Sequence, residues 1–247
     1  MFFDALQNHY KNKTCGRALL IDPDSGTEGI LPKLVQSAAP LADYIFVGGS
    51  LLTTDTFSHT IKSLKADCDI PLVIFPGHLN QIDKNADAFL LLSLVSGRNP
   101  ELLIGEHVKA APILKNSGLE IWSTAYLLID GGKPTTASYM SNTPPIPADK
   151  PAIAASTAMA AEMLGFKVIY LDAGSGAHEP VRHETIRAVR ENVNLPIIVG
   201  GGINTRQKAE AAANAGANMI VIGNAVEQNP ELFDEFFQER KLSGAKF

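Results

Sequence analysis

The stretches VIYLDAGSGA (168–177), PIIVGGGI (196–203) and MIVIGNAV (219–226) decide the fold. Each opens with a short β-branched apolar run, the pattern of a strand buried on both faces of a parallel sheet. Each run ends in a glycine-bearing turn whose backbone N–H groups no side chain obstructs. Side by side, three such turns form a cradle for one phosphate group. In a (β/α)8 barrel the phosphate site typically follows strands 7 and 8. Glycine turns placed last in the chain therefore predict a barrel.

Outward from these stretches the same alternation continues. Strands are predicted over 17–22, 44–48, 71–75, 88–94, 120–127, 167–172, 196–199 and 218–222. Helical patterns fall at 28–38, 54–65, 101–116, 152–164, 179–191, 205–215 and 230–237. Strands alternating with helices imply a parallel sheet, and eight of them imply closure into a TIM barrel; a doubly wound open sheet is the runner-up. Only residues 77–87 separate the third and fourth strands. That is too short for a crossover helix with its loops, so the third outer helix is expected to be reduced or missing. The connection 130–150 is long, carries Pro134, Pro144, Pro145 and Pro147, and has almost no helical periodicity. It follows the fifth strand and is read as a lid or substrate rim.

A length of 247 residues suits one such barrel, so a single domain over 1–247 is expected. The net charge of −5 argues against a nucleic-acid partner, because phosphate backbones need clustered Lys and Arg. Cys15 and Cys68 do not form a metal spacing and read as reduced thiols. The start MFFDALQNHYKNK is no signal peptide, since Asp4 interrupts the apolar run. The longest apolar run, 88–95, falls far short of the roughly 18 residues of a membrane span. A soluble, cytoplasmic protein is expected.

Several residues stand where a barrel does its chemistry. Asp22, in IDPDSG, ends the first strand before Pro23 and would sit at the barrel mouth. A carboxylate there suits Mg²⁺, which takes one or two protein oxygens and completes its shell with water and substrate phosphates. Asp24 is read as the cap of a turn or helix. Ser50, closing FVGGS, would ligate the same cation or a phosphate. Asp172 ends the sixth strand beside the glycine turn, where it is placed as a base. Tyr170, two residues earlier, shares its barrel face and is read with it, core packing being the alternative. His78 and His178 fall on catalytic-face loops, whereas His9, His59, His107 and His183 are read as surface residues. The alanines of 152–164 point to close packing on the barrel, or to a subunit contact. No Walker sequence, nicotinamide fingerprint or Ser–His–Asp order is present.

The segments LLIDPD (19–24), FVGGS (46–50), TAYLLIDGG (124–132), SYMSNTPPIPADKPAIA (138–154), YLDAGSGA, VGGGI and IGNAV together resemble the geranylgeranylglyceryl phosphate synthase family. The resemblance spans residues 19 to about 229. It implies transfer of a prenyl group from a prenyl diphosphate, geranylgeranyl diphosphate here, to the 3-hydroxyl of sn-glycerol 1-phosphate. It implies a barrel whose third helix is replaced by irregular chain. It places glycerol phosphate on Tyr170, Leu171, Asp172, Ala173, Gly174, Ser175 and Gly176, on Gly201 and Gly202, and on Gly223 and Asn224. It places Mg²⁺ on Asp22 and Ser50, makes Asp172 the proton acceptor, and has Tyr170 orient the glycerol or face the allylic cation. Asp172 replaces the family's usual Glu with a side chain one methylene shorter. The heptaprenyl-transferring branch carries Lys where Leu20 stands, which favours the geranylgeranyl branch. A homo-oligomer is expected. Two rival readings use the same phosphate cradle: an isomerase or lyase of phosphorylated metabolites with Asp22 and Asp172 as its acid and base, and a non-enzymatic phosphometabolite-binding protein.

Overall fold

The computed structural model describes residues 1–25, 29, 31–38, 40–78, 81–223 and 226. Eight parallel strands close into a barrel in chain order. They are β1 (Gly16–Ile21), β2 (Tyr44–Val47), β3 (Leu72–Ile74), β4 (Ala88–Leu94), β5 (Glu120–Leu128), β6 (Val168–Asp172), β7 (Ile197–Gly200) and β8 (Met219–Ile222). Closure is direct, since β1 pairs in parallel with both β2 and β8. Each predicted strand is found, with ends moved by one residue at most.

Period-2 alternation sorts the strand residues into two layers. Leu19, Ile21, Leu171, Val199 and Ile220 face the outer helices. Ala18, Phe46, Leu90, Tyr126, Tyr170 and Val221 fill the barrel interior. The outer layer is α2 (Leu31–Ala38), α3 (Phe57–Asp67), α4 (Glu106–Lys115, entered through a π-helical turn at Glu101–Gly105), α6 (Pro151–Met163), α7 (His183–Arg190) and α8 (Arg206–Asn214). Ala154, Ala155, Ala158 and Ala161 of α6 are buried, so the alanine face packs on the barrel.

As expected, no helix lies between β3 and β4 among the described residues. The predicted helix 230–237 lies outside them. Three expectations need correction. α3 begins at Phe57 rather than 54, because Thr53 and Thr54 are tied through backbone and hydroxyl to the Asp24 carboxylate. α7 begins at His183 rather than 179, because the His178 and Glu179 N–H groups donate to Gly131 O at 3.0 and 3.1 Å. The connection 130–150 contains a short helix, α5 (Thr136–Ser141). Reciprocal capping between Thr135 and Ser138 forms its first turn without any apolar stripe.

An additional helix, α1 (Phe3–Asn12), closes the bottom of the barrel. Leu6 is fully buried in the interior cluster, and Phe3 packs edge-on against Trp122 at 5.3 Å. The Glu120 carboxylate accepts from the Phe2 and Phe3 N–H groups. With the bottom plugged, the open end is the one at the strand C-termini.

Candidate active site

The strand C-termini surround a cavity of about 1070 Å³. Asp22, Phe75, Tyr126, Tyr170 and Asp172 line it from the ends of β1, β3, β5 and β6 or the residues just beyond them. All stand on the inward phase of their strand. The cavity lining extends over β4 and α4, where Phe89, Leu91, Leu92, Leu102 and Ala110 stand beside Glu101, Glu106 and His107.

Asp172 is the most buried acid in this group, at 6% exposure. Tyr126 Oη donates to its Oδ2 at 2.5 Å, and the Gly174 N–H donates to its Oδ1 at 2.8 Å. Burial pushes the carboxyl above its ordinary value, with both hydrogen bonds pulling the other way. Burial and the Asp172 charge hold the Tyr126 and Tyr170 phenols well above theirs, so Tyr126 remains a donor. Each carboxylate oxygen still has a lone pair for a substrate hydroxyl. The Tyr170 ring stacks on Phe75 at 5.0 Å and meets Tyr126 at 5.5 Å, which makes an aromatic wall beside the acid. Tyr126 was not singled out from the sequence. The signal lies in β5 itself, where Trp122, Thr124 and Tyr126 alternate inward and Tyr126 pairs in register with Tyr170.

The glycine turns do come together. Ser175, Gly176, Gly201, Gly202 and Gly223 all line the cavity. Gly174 stands behind them, its N–H turned onto Asp172. The Leu171 and Ala173 side chains belong to the layer under the outer helices, which leaves only their backbone for a ligand. Asn224 lies outside the described residues. Gly201 has φ +79°, and a Cβ there would stand 2.5 Å from Gly174 N and 2.6 Å from Asp172 Oδ1. Gly201→Val should therefore weaken glycerol phosphate binding by at least about tenfold, since the added side chain forces the turn and the acid apart. Calorimetry on a folded variant checks this; undiminished affinity would make the turn purely structural.

Asp22 follows β1 and is half-buried. Its Oδ1 accepts the Asp24 N–H at 3.0 Å. Burial holds its carboxyl above the ordinary value, opposed by that hydrogen bond. The carboxylate lies against the FVGGS turn, 3.0 Å from where a Gly49 Cβ would be, and Ser50 lines the same wall. Asp24 itself serves as a loop staple, accepting the Thr53 hydroxyl at 2.8 Å. Among the described residues no group of three or more His, Cys, Asp and Glu could hold a metal. One carboxylate and one hydroxyl fit a cation that shares its shell with water and substrate oxygens, as Mg²⁺ does.

The histidines divide differently from expectation. His78 is exposed at the cavity rim, and exposed His178 is not among the cavity-lining residues. His59 and His183 are surface residues, but His9 and His107 are not fully so. His107 lines the cavity with Nε2 2.9 Å from Ser93 Oγ, and burial lowers its pKa. It was expected on the surface because it falls in a helical segment, whose inward face periodicity alone did not single out. The connection 130–150, expected as a lid or substrate rim, reaches the cavity, which Thr136, Ala137, Met140 and Ser141 of α5 help to line.

The PcrB family pattern matches residues 10–240. A Chitinophaga pinensis protein named geranylgeranylglyceryl phosphate synthase is 53% identical over 219 residues, covering 88% of this chain and 87% of that protein. A protein of the same name from Spirosoma linguale is 51% identical, covering 88% of each. Among solved structures, (S)-3-O-geranylgeranylglyceryl phosphate synthase from Thermoplasma acidophilum, in complex with its substrate sn-glycerol-1-phosphate, superposes with a TM-score of 0.88. Its identity is 33%, over 96% of this chain and 95% of that one.

Proposed function

This chain belongs to the PcrB family, and from that premise we propose that it joins geranylgeranyl diphosphate to the 3-hydroxyl of sn-glycerol 1-phosphate. The observation that carries the reading is the shape of one cavity. It has glycine turns and a buried carboxylate, Asp22 and Ser50, and a largely apolar stretch over β4 and α4 that would take a prenyl chain. An isomerase or lyase of small phosphorylated metabolites would have no use for that apolar stretch.

In the proposed reaction the C1–O bond to the diphosphate breaks and its electron pair leaves with the diphosphate. The glycerol O3–C1 bond forms, and the O3 proton passes to Asp172. An alcohol is far weaker as an acid than a carboxylic acid, so the proton moves late, as the new bond forms. The raised pKa of Asp172 suits it to take that proton. Tyr126 and Gly174 hold the carboxylate in place before the substrate arrives. The faces of Phe75, Tyr126 and Tyr170 favour positive charge developing on the allylic carbon. Asp22 and Ser50 would hold Mg²⁺, which when bound neutralises the diphosphate and eases its departure. No helix among the described residues is long and apolar enough to cross a membrane, and work in the cytoplasm is part of this proposal.

The test is incubation with labelled sn-glycerol 1-phosphate and a series of prenyl diphosphates from C5 to C35, with and without Mg²⁺. The expected result is an organic-soluble product, formed with highest kcat/KM from the C20 donor and lost on chelation. Absence of product from every donor would overturn the reading.

A further inference from the structure

We propose that Gln81 is a positioning residue for the subsite of the cation and the diphosphate, a role that rests on the function proposed above. Gln81 belongs to the connection between β3 and β4, where this barrel has no helix among its described residues. It is only 2% exposed. Its Nε2 donates to Gly49 O at 2.9 Å, and its Oε1 accepts from Gly77 N at 3.2 Å and Gly49 N at 3.4 Å. This orientation of the amide is the one that matches donors to acceptors; the flipped one would set NH₂ against two N–H groups.

The need for such a clamp follows from where the sheet stops. At this edge the last ladder bonds run from Gly48 N to Ile21 O and from Phe75 N to Val47 O. Beyond them the chain turns away, and the peptide groups of Gly49 and Gly77 have no neighbouring strand. Gly49 is half-buried and Gly77 lies at the exposed rim, and both pair with this one side chain rather than with a strand. The Gln81 side chain carries one donor and one acceptor in a plane, as a peptide does, and takes the place of the missing strand residue. The packing admits nothing else at the junction: a Cβ on Gly77 would stand 2.2 Å from Gly49 O and 2.8 Å from the Ser50 Cα. Gly49 in turn lies against the Asp22 carboxylate. One amide therefore sets the position of the Ser50 hydroxyl relative to Asp22, although it need touch neither the cation nor the substrate. An outer helix would separate the third connection from this turn, whereas irregular chain brings a side chain into it.

The test uses the full chain with Gln81→Met, which keeps the length and removes the hydrogen bonds, and Gln81→Asn, which keeps the amide but shortens its reach. The probe is inorganic diphosphate with Mg²⁺, followed by calorimetry, with glycerol phosphate titrated in parallel. Both variants should bind Mg²⁺–diphosphate about tenfold more weakly or worse, raise the KM for prenyl diphosphate more than they lower kcat, and leave glycerol phosphate affinity within about twofold. Amide exchange at Gly49 and Gly77 should quicken. Undiminished Mg²⁺–diphosphate affinity in both variants would overturn the assignment. So would a matching loss of glycerol phosphate affinity, which marks general damage. A wild-type protein that takes up no Mg²⁺–diphosphate would instead overturn the reading of the subsite itself, and this inference with it.

Discussion

Replacing Asp172 with asparagine should slow turnover by roughly two to four orders of magnitude while binding of both substrates changes little. Asparagine keeps the shape, with its oxygen on the Gly174 N–H and its NH₂ donating to the Tyr126 hydroxyl, but it cannot take the glycerol proton. Asp172→Glu retains the acceptor and should stay far above Asp172→Asn. Its extra methylene has no room behind it, because Gly174 and Gly201 press on the Asp172 carboxylate, so the longer chain must project into the cavity. The pH profile is a second check. Burial raises the pKa of Asp172, and the Tyr126 hydrogen bond opposes that rise. The acid limb of kcat/KM should therefore lie above the ordinary carboxylate value of 3.8 and move to still higher pH in Tyr126→Phe. The stability linkage has the matching sign. The stability held by neutral Asp172 is full below its unfolded value and is lost as pH rises through the raised folded one. A fully active Asp172→Asn enzyme would remove the carboxylate from the mechanism, and the proton would then go to solvent or to the departing diphosphate.

Asp22→Ala should bring turnover to background, yet leave glycerol phosphate affinity within about twofold, because Asp22 stands on the FVGGS side of the cavity and the buried acid with two of the three glycine turns stands on the side of β6 and β7. Asp22 follows β1, and Asp172 ends β6, three strands away around the closed barrel. The substitution should not destabilise the fold, since it removes a half-buried carboxylate that burial already penalises. Calorimetry with glycerol phosphate, kinetics across a Mg²⁺ series and a thermal midpoint separate the outcomes. A large loss of glycerol phosphate affinity would move Asp22 into the other subsite.

The barrel was legible because its signals are local. Apolar runs of β-branched residues, the glycines that end them and the helical periods between them are properties of chain neighbours. They place Asp22, Tyr170 and Asp172 at strand ends on the inward face with no knowledge of the rest of the molecule. Likewise the eleven residues of 77–87 exclude a crossover helix by length alone. The helices α1 and α5 were not legible. α5 depends on a cap between Thr135 and Ser138, and α1 has meaning only against the barrel bottom that Leu6 and Phe3 close.

By itself, then, the sequence determined the barrel, the order of its strands, the place of the glycine turns and the two acids at the strand ends. Tertiary structure decided what those acids touch. Tyr126 meets Asp172 across 46 residues because β5 and β6 pair in one register; a slip by a single residue would turn the phenol outward. Gln81 reaches Gly49 across 32 residues because the connection between β3 and β4, with no helix among its described residues, folds back onto the sheet edge. Periodicity fixes which way a side chain points within its own element. Which partner it finds there depends on how strands register and where the sheet leaves peptide groups unpaired, and those are settled only when the barrel closes.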